Sequence, residues 1–399
     1  MHEIPKGWEV KKLGEICEIT MGQSPKGENV FENSQSLNGL EFHQGKICFT
    51  DKFISKSKFI TSDIRKIAEV GSILLCVRAP VGVINLTERK IAIGRGLCAL
   101  KANNQNNNFL YYYLLGLKQY FESKATGSTF SAITLNIVKN CEIPLPPLSE
   151  QKAIADKLDD SFAKIENAIT NLINAKENLK LYKQSVLKSA FNGDLLPNTS
   201  PTHWEVKKLG EIFNVIGGGT PNTNNAEFWG GNISWISSAD IDKENFNAIP
   251  RKFITENAIQ NSATNLVPKN TIIVVTRVGL GKVAITKEPM CFSQDSQALI
   301  PFEKINVKFM AYQIKQIAQN FINISRGTTI NGITKQNLKD CKICVPTLSE
   351  QNLIVAEIDR RFAIVDKTLN LIDKSIQNAK NLKQSILKKA FSGELRSEI

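Results

Sequence analysis

The stretch SEQKAIADKLDDSFAKIENAITNLINAKENLKLYKQSVLKSAFN, residues 149–192, returns as SEQNLIVAEIDRRFAIVDKTLNLIDKSIQNAKNLKQSILKKAFS at 349–392, in register and without a gap. Each copy follows a proline, Pro147 or Pro346, and opens on a serine, Ser149 or Ser349, suited to capping the first turn of a helix. Glu150 or Glu350 then sits where the helix dipole favours an anion. Each copy closes at Gly193 or Gly393, the residue type best able to adopt the left-handed conformation that ends a helix. Between these signals lie about 44 residues, roughly 66 Å of helix. Leu158, Ile165, Leu172, Leu179 and Val186 fall on a heptad row, with Phe162 and Ile169 on a second. The copy repeats both rows as Ile358, Val365, Ile372, Ala379 and Ile386, then Phe362, Leu369 and Ile376. A period of seven held over about five heptads is a coiled-coil seam, and two matched copies in one chain invite pairing with each other. Lys176 is the misfit, because it occupies the row that Ile376 fills.

A second repeat sets the organisation. WEVKKLGEI at 8–16 recurs unchanged at 204–212, so the chain is two units, each a globular region followed by a long helix. A length of 399 residues already exceeds what one core usually holds. The boundaries expected are a globule at 1–147, a helix at 148–195, a second globule at 196–346 and a second helix at 347–399. LLPNTSPTHW (195–204) reads as the surface linker. Within the globules the units match at scattered points. ITMGQSP (19–25) corresponds to VIGGGTP (215–221), a turn after a strand. GSILLCVRAPVG (71–82) corresponds to NTIIVVTRVGLG (270–281), an apolar strand ending at an arginine. TGSTFSAIT (126–134) corresponds to RGTTINGIT (326–334). Short apolar strands bounded by Gly and Pro, with helical segments over 108–122 and 307–322, predict a mixed α/β globule in each unit. NNQNNN (103–108) reads as a loop. Like helices beside unlike globules suit one shared structural task and two versions of a second one.

The totals narrow the function. A net charge of +12 with 42% hydrophobic residues fits a soluble, folded protein with either a polyanionic partner or simply good solubility. MHEIPKGWEV holds no apolar targeting core and no run approaches a membrane span, so a cytoplasmic protein without a membrane partner is expected. The eight cysteines suggest free thiols. Cys341 and Cys344 form a CxxC with no second pair nearby, and with three histidines in all, a tetrahedral metal site is not expected. Base methylation would need an (N/D)PP(Y/F) grip, but Pro146-Pro147 lies between leucines. The ExK at Glu150–Lys152 loses its lysine in the copy, where Asn352 stands. GLGK (279–282) lacks the rest of a phosphate loop. GGGTP at Gly217 reads as a tight turn, and His2, His43 and His203 are dispersed. No catalytic residues are expected.

These residues together carry a resemblance. A Trp-Glu-Val-Lys-Lys-Leu-Gly start, PPLSEQ or PTLSEQ at the helix entry, and a heptad helix ending in Ala-Phe-x-Gly-(Asp/Glu)-Leu, all occurring twice, resemble the specificity subunit of a type I restriction-modification system across essentially the whole chain. The resemblance implies two pseudo-symmetric α/β target-recognition domains joined by two long helices that pack as an antiparallel coiled coil. It implies a subunit that is not itself an enzyme, reading an asymmetric bipartite site in double-stranded DNA. Two modification subunits would carry S-adenosylmethionine and methylate adenine, and restriction subunits in the full complex would use ATP and Mg to cleave. The chain itself would hold no cofactor. Physical reasoning agrees: a two-fold protein meets DNA at two half-sites, and the length of the helices would set the unread gap. The competing class is a coiled-coil scaffold that joins proteins and ignores DNA sequence.

No family motif fixes the base-reading positions, so the candidates come from matched segments. Arg78 and Arg277 end matched strands, and arginine can contact guanine in a bidentate way. Arg95, between two glycines, corresponds roughly to Gln294 in SQDSQ. Gln23, Ser24 and Lys26, matched by Gly219, Thr220 and Asn222, lie on an exposed turn, as do Ser128, Thr129, Arg326 and Thr328. Each could equally be a solvated loop or, for the arginines, an ion-pair residue. The outward faces of the long helices, tested by charge reversal at Lys183 and Lys383, are the expected docking surface for the modification subunits.

Overall fold

The structure, a computed structural model, describes residues 5–32, 39–127, 131–197, 203–325 and 332–395, with backbone alone over 319–325. It forms two compact units, Met1–Asn174 with Ile372–Ile399, and Ala175–Leu371. Each unit therefore takes one segment from each long helix, Leu148–Asn192 and Leu348–Phe391.

In the first unit, strand Glu9–Lys12 pairs antiparallel with Glu142–Leu145, which ties the start of the globule to the entry of its helix. An antiparallel sheet in the order Cys17–Met21, Leu97–Ala102, Ile73–Cys76, Ile84–Leu86 follows, with Leu100 opposite both Ile19 and Ile73. Its central strands are buried on both faces, so they read as continuous apolar runs rather than as alternation. A second sheet of five short strands adds Val30–Glu32, Phe59–Thr61, Leu40–His43, Ile91–Ile93 and Ile67–Ala68 in that order. The helix Asn107–Gly116 supplies buried Phe109, Leu110 and Leu114. It is capped by Asn106, whose side chain accepts from the Phe109 N–H at 2.9 Å. The end of NNQNNN is thus a helix start, and the helix expected over 108–122 is two, broken at Leu117 before Lys118–Lys124.

The second unit repeats this frame. Glu205–Lys208 pairs with Lys342–Val345. The sheet runs Phe213–Gly217, Ser296–Pro301, Ile272–Val275, Val283–Ile285, with Leu299 opposite Val215 and Ile272. Asn306 caps the helix Val307–Ser325 through the Phe309 N–H. The accessory sheet differs, being three strands in the order Lys252–Ile254, Trp229–Ile236, Cys291–Phe292. Unlike accessory sheets on a common frame explain why the globules align only at scattered points.

The repeated motifs are joints of this frame. The Trp8 indole donates to Glu150 at 3.0 Å, and the Trp204 indole to Glu350 at 3.4 Å. The Gln151 carboxamide donates to Pro146 O and accepts from the Asn106 N–H; Gln351 does the same with Pro346 O and Asn306. The PLSEQ entry is therefore a lock between strand, capped helix and long helix. The expectation that Ser149 and Ser349 cap these helices is corrected: the helices begin one residue earlier, at Leu148 and Leu348. In the second copy Thr347 is the cap, exchanging bonds with Glu350 in both directions.

The long-helix segments run antiparallel in each unit. In the first, Ile154, Ala155 and Leu158 share the core with Leu387 and Ala390, while Phe162 and Glu166 meet Lys383. In the second, Ile354 and Ile358 share the core with Val186 and Ala190, while Phe362 and Asp366 meet Lys183. The rows Leu158, Ile165 and Ile169, and Ile358, Val365 and Ile372, are buried, as a coiled-coil seam requires. The terminal Ala-Phe pairs close the cores: Phe391 lies edge-on to Phe109 at 5.3 Å, and Phe191 edge-on to Phe309 at 5.6 Å. Lys183 and Lys383 do not face outward. Each sets its ammonium over a phenylalanine ring, with Nζ 4.9 Å and 5.1 Å from the ring centroids, and pairs with a carboxylate of the partner helix. Lysine can do this because its stem is apolar and its charge sits only at the tip.

Candidate nucleic-acid interface

In the first unit the backbone gathers several loops. The Gly22 N–H donates to Leu97 O, Gln23 N–H to Ile93 O, Gly94 N–H to His43 O, and Val77 N–H to Gly96 O. Arg78 forms a bridge with Ala132, and the Ala79 N–H donates to Ser131 O. The turn after the first core strand, the Gly94–Gly96 loop and the segment after strand Ile73–Cys76 therefore form one cluster. It brings together Gln23, Ser24, Arg78 and Arg95. Gln23, Arg78 and Arg95 are exposed, and among the described residues none of the three arginines Arg78, Arg95 and Arg277 is paired with a carboxylate.

The second unit builds the same cluster. Gly218 N–H donates to Ser296 O, Gly219 N–H to Phe292 O, and Thr276 and Arg277 N–H both to Asp295 O. The Ile333 N–H donates to Thr276 O, and Gly332 lies against Arg277. Thr220, Arg277 and Gln294 are brought together here, all exposed. Matching these bonds to those above aligns Val77 with Thr276, Gly96 with Asp295, and hence Arg95 with Gln294. Asn222 is turned to its own loop, accepting from the Asn224 N–H and, at its carbonyl, from the Trp229 indole. Lys26 begins a short 3-10 turn with its ammonium 3.9 Å from Glu28. Ser128, Thr129, Arg326 and Thr328 lie outside the described residues.

Glycines are required where these loops approach. A Cβ on Gly22 would lie 2.2 Å from Gly94 O, and one on Gly218 would lie 2.1 Å from Ser293 O. That shared collision explains the one glycine common to MGQSP and GGGTP. GLGK is a connection between strands: Gly279 and Gly281 have φ of 90° and 89°, and the Lys282 ammonium donates to Ser238 O at 2.7 Å.

One residue of the first cluster had no signal in the sequence. Gln44 follows strand Leu40–His43, and its carboxamide oxygen accepts from the Ser24 hydroxyl at 3.0 Å. That strand is anchored by a salt bridge whose distances from Arg89 to the two oxygens of Glu41 are both 2.6 Å, with His43 2.8 Å from the same carboxylate. Burial raises the Glu41 pKa, but the bonds from Arg89, Ser57 and His43 outweigh it and hold the carboxyl down at about 2. Burial holds the His43 imidazole below its ordinary value.

All eight cysteines are free thiols, and burial pushes the Cys17, Cys76, Cys98 and Cys141 thiols up to about 12, which makes them inert. Among the described residues no group of three or more His, Cys, Asp or Glu could hold a metal ion, and no helix is long and apolar enough to cross a membrane.

Each unit carries the same loop cluster on the same frame, with segments of both long helices running antiparallel within it, which defines a protein of two like units. The family described as "Type I restriction modification DNA specificity domain" matches residues 5–175 and 201–379, and the chain belongs to that family. It is 31% identical to the type I restriction enzyme EcoR124I/EcoR124II specificity subunit of Escherichia coli, over 61% of this chain and 60% of that one. With three relatives at 31% to 35% identity, the chain spans between 43% and 60% of their length, about half. A chain solved in work on assembly and conformational transition of the type I R-M system has the same fold, with TM-score 0.79 at 22% identity over 98% of this chain and 99% of that one. The HsdS subunit from Thermoanaerobacter tengcongensis also shares it, with TM-score 0.62 at 22% identity over 98% of each chain.

Proposed function

We propose that this chain reads an asymmetric, interrupted sequence in double-stranded DNA, one half with each loop cluster, and recruits two modification subunits that methylate adenine there. The observation that carries this reading is the recurrence of one loop cluster on one frame with different exposed side chains: Gln23, Gln44 and Arg95 in the first unit, Thr220 and Gln294 in the second. A shared frame with unlike tips is what two different half-sites demand. The globules at 1–147 and 196–346 are the reading heads. The net charge of +12 contributes the sequence-independent attraction to phosphates, and the exposed Arg and Gln side chains contribute readout at base edges. S-adenosylmethionine, ATP and Mg belong to the partner subunits, as do the methyl transfer and cleavage.

The test is an exchange. Residues 203–345 are replaced by the corresponding globule of another family member, and methylated adenines are mapped by sequencing in a host that also expresses the modification subunit. One half of the methylated target is expected to change while the other stays. A change in both halves would overturn the assignment of one half-site to each loop cluster, and equal affinity for every duplex with the modification subunit present would instead identify a scaffold that ignores sequence.

A further inference from the structure

We propose that Gln44 and Gln294 are specificity-determining residues, each reading one A·T pair in its own half-site, and that Ser24 and Thr220 are positioning residues that aim them. This rests on the DNA-reading assignment above and sharpens it to single side chains.

The two units make the same arrangement from different parts of the chain. Ser24 and Thr220 occupy the same place in matched turns, each just before a proline, Pro25 or Pro221. The Ser24 hydroxyl donates to the Gln44 carboxamide oxygen at 3.0 Å, and the Thr220 hydroxyl donates to that of Gln294. Yet the glutamines are not equivalent. Gln44 follows the strand Leu40–His43, whereas Gln294 follows Cys291–Phe292, and the position equivalent to Gln294 in the first unit is Arg95. A hydroxyl holding a glutamine is therefore not inherited from the common frame alone. It is present in both units although the segment that brings the glutamine differs.

The surroundings admit Gln44 closely. A Cβ on Gly94 would lie 2.1 Å from the Gln44 carboxamide oxygen, and one on Gly96 would lie 2.3 Å from the Gln44 backbone oxygen. The glycines flanking Arg95 thus leave room for Gln44. The same hydroxyl that holds the carboxamide also accepts from the Arg95 N–H at 3.3 Å, which joins the two exposed residues in one constellation. Both glutamines are exposed, so these are held side chains on the surface rather than core polar groups.

The chemistry suits adenine. A carboxamide oxygen has two lone pairs, so after accepting the hydrogen bond from the hydroxyl it can still accept from adenine N6, while Nε2 donates to adenine N7. The hydroxyl bond holds the carboxamide in place and reduces the rotamer freedom lost on binding.

The experiment uses the full chain assembled with its modification subunit and duplexes in which the methylated target is altered one base pair at a time. Gln44→Ala is expected to lower discrimination at one A·T pair of one half-site by about 5- to 150-fold, and Gln294→Ala to do the same in the other half. Ser24→Ala should relax the same pair as Gln44→Ala, to a smaller degree. Gln44→Glu keeps the size and the acceptor, and should shift preference at that pair towards C·G, because a carboxylate accepts from cytosine N4; it decides the case if thermal unfolding shows that Gln44→Ala does not fold. Unchanged discrimination in folded variants, or an equal loss at every position, would overturn the assignment of these glutamines while leaving the DNA-reading assignment standing. A parent complex that discriminates at no position would overturn both.

Discussion

At the scale of the residue, the loop clusters depend on contacts too close for any side chain but hydrogen. Gly22→Ala or Gly218→Ala would drive a Cβ to within 2.2 Å or 2.1 Å of a backbone oxygen. Each is expected to destabilise its unit by about 1–3 kcal/mol through overpacking, measured as a lowered denaturant midpoint. The Glu41–His43–Arg89 network yields a pH dependence. Glu41 has its folded pKa depressed from an ordinary 4.5 to about 2, so its contribution is present above the ordinary value and is lost as pH falls from about 4.5 towards 2. His43 acts in the same direction. Its folded pKa lies below 6.5, so as pH falls through 6.5 the unfolded chain takes up a proton that the buried imidazole does not. Thermal midpoints measured across pH are expected to show Glu41→Gln less stable than the parent at neutral pH, with the difference shrinking towards pH 2. A difference independent of pH would show that the carboxylate charge contributes nothing.

At the scale of the element, the long helices are held by their seam and by one lysine from each. Lys383 lies over Phe162 and pairs with Glu166; Lys183 lies over Phe362 and pairs with Asp366. Charge reversal at either site would set two carboxylates together beside an aromatic face. Lys383→Glu is expected to cost about 1–2 kcal/mol of stability, since both the pairing and the ring contact are lost. Its signature is a lowered unfolding midpoint of the free chain, before any partner is added. A variant of unchanged stability that only weakens assembly would return these lysines to the role of docking residues. The heptad rows were legible because a seam repeats locally every seven residues. The inward turn of two charged residues was not, because it depends on which aromatic ring the antiparallel partner presents.

At the scale of the whole molecule, each compact unit is completed by the far end of a helix from the other repeat: Leu387, Ala390 and Phe391 enter the core of the first, and Val186, Ala190 and Phe191 that of the second. Truncation before Leu387 is therefore expected to destabilise the first unit although it removes none of that unit's globule. Hydrogen-exchange protection of Phe109 and Leu110 would report it, and unchanged protection would show that the helix end is dispensable. The exchange of one globule for another belongs to this scale as well, since it treats the frame as constant and the exposed loops as variable.

By itself the sequence determined the doubling, the two long heptad helices, the mixed α/β globules and the absence of a familiar catalytic motif. All of these are carried by local spacing or by exact repetition along the chain. It also marked most of the cluster, because Ser24, Arg78, Arg95, Thr220, Arg277 and Gln294 lie in or beside segments that match between the units. Only the tertiary structure decided that the glutamates of PLSEQ accept from tryptophans more than 140 residues away in sequence, since the indole bonds join residues 142 and 146 positions apart. Only it added Gln44, which lies in a segment that does not align between the units by sequence and whose structural counterpart in the second unit is Ser237, after strand Trp229–Ile236. The physical reason is the same in both cases: a hydrogen bond between distant segments leaves no periodicity in either one, so it becomes visible only when the backbone has brought donor and acceptor together.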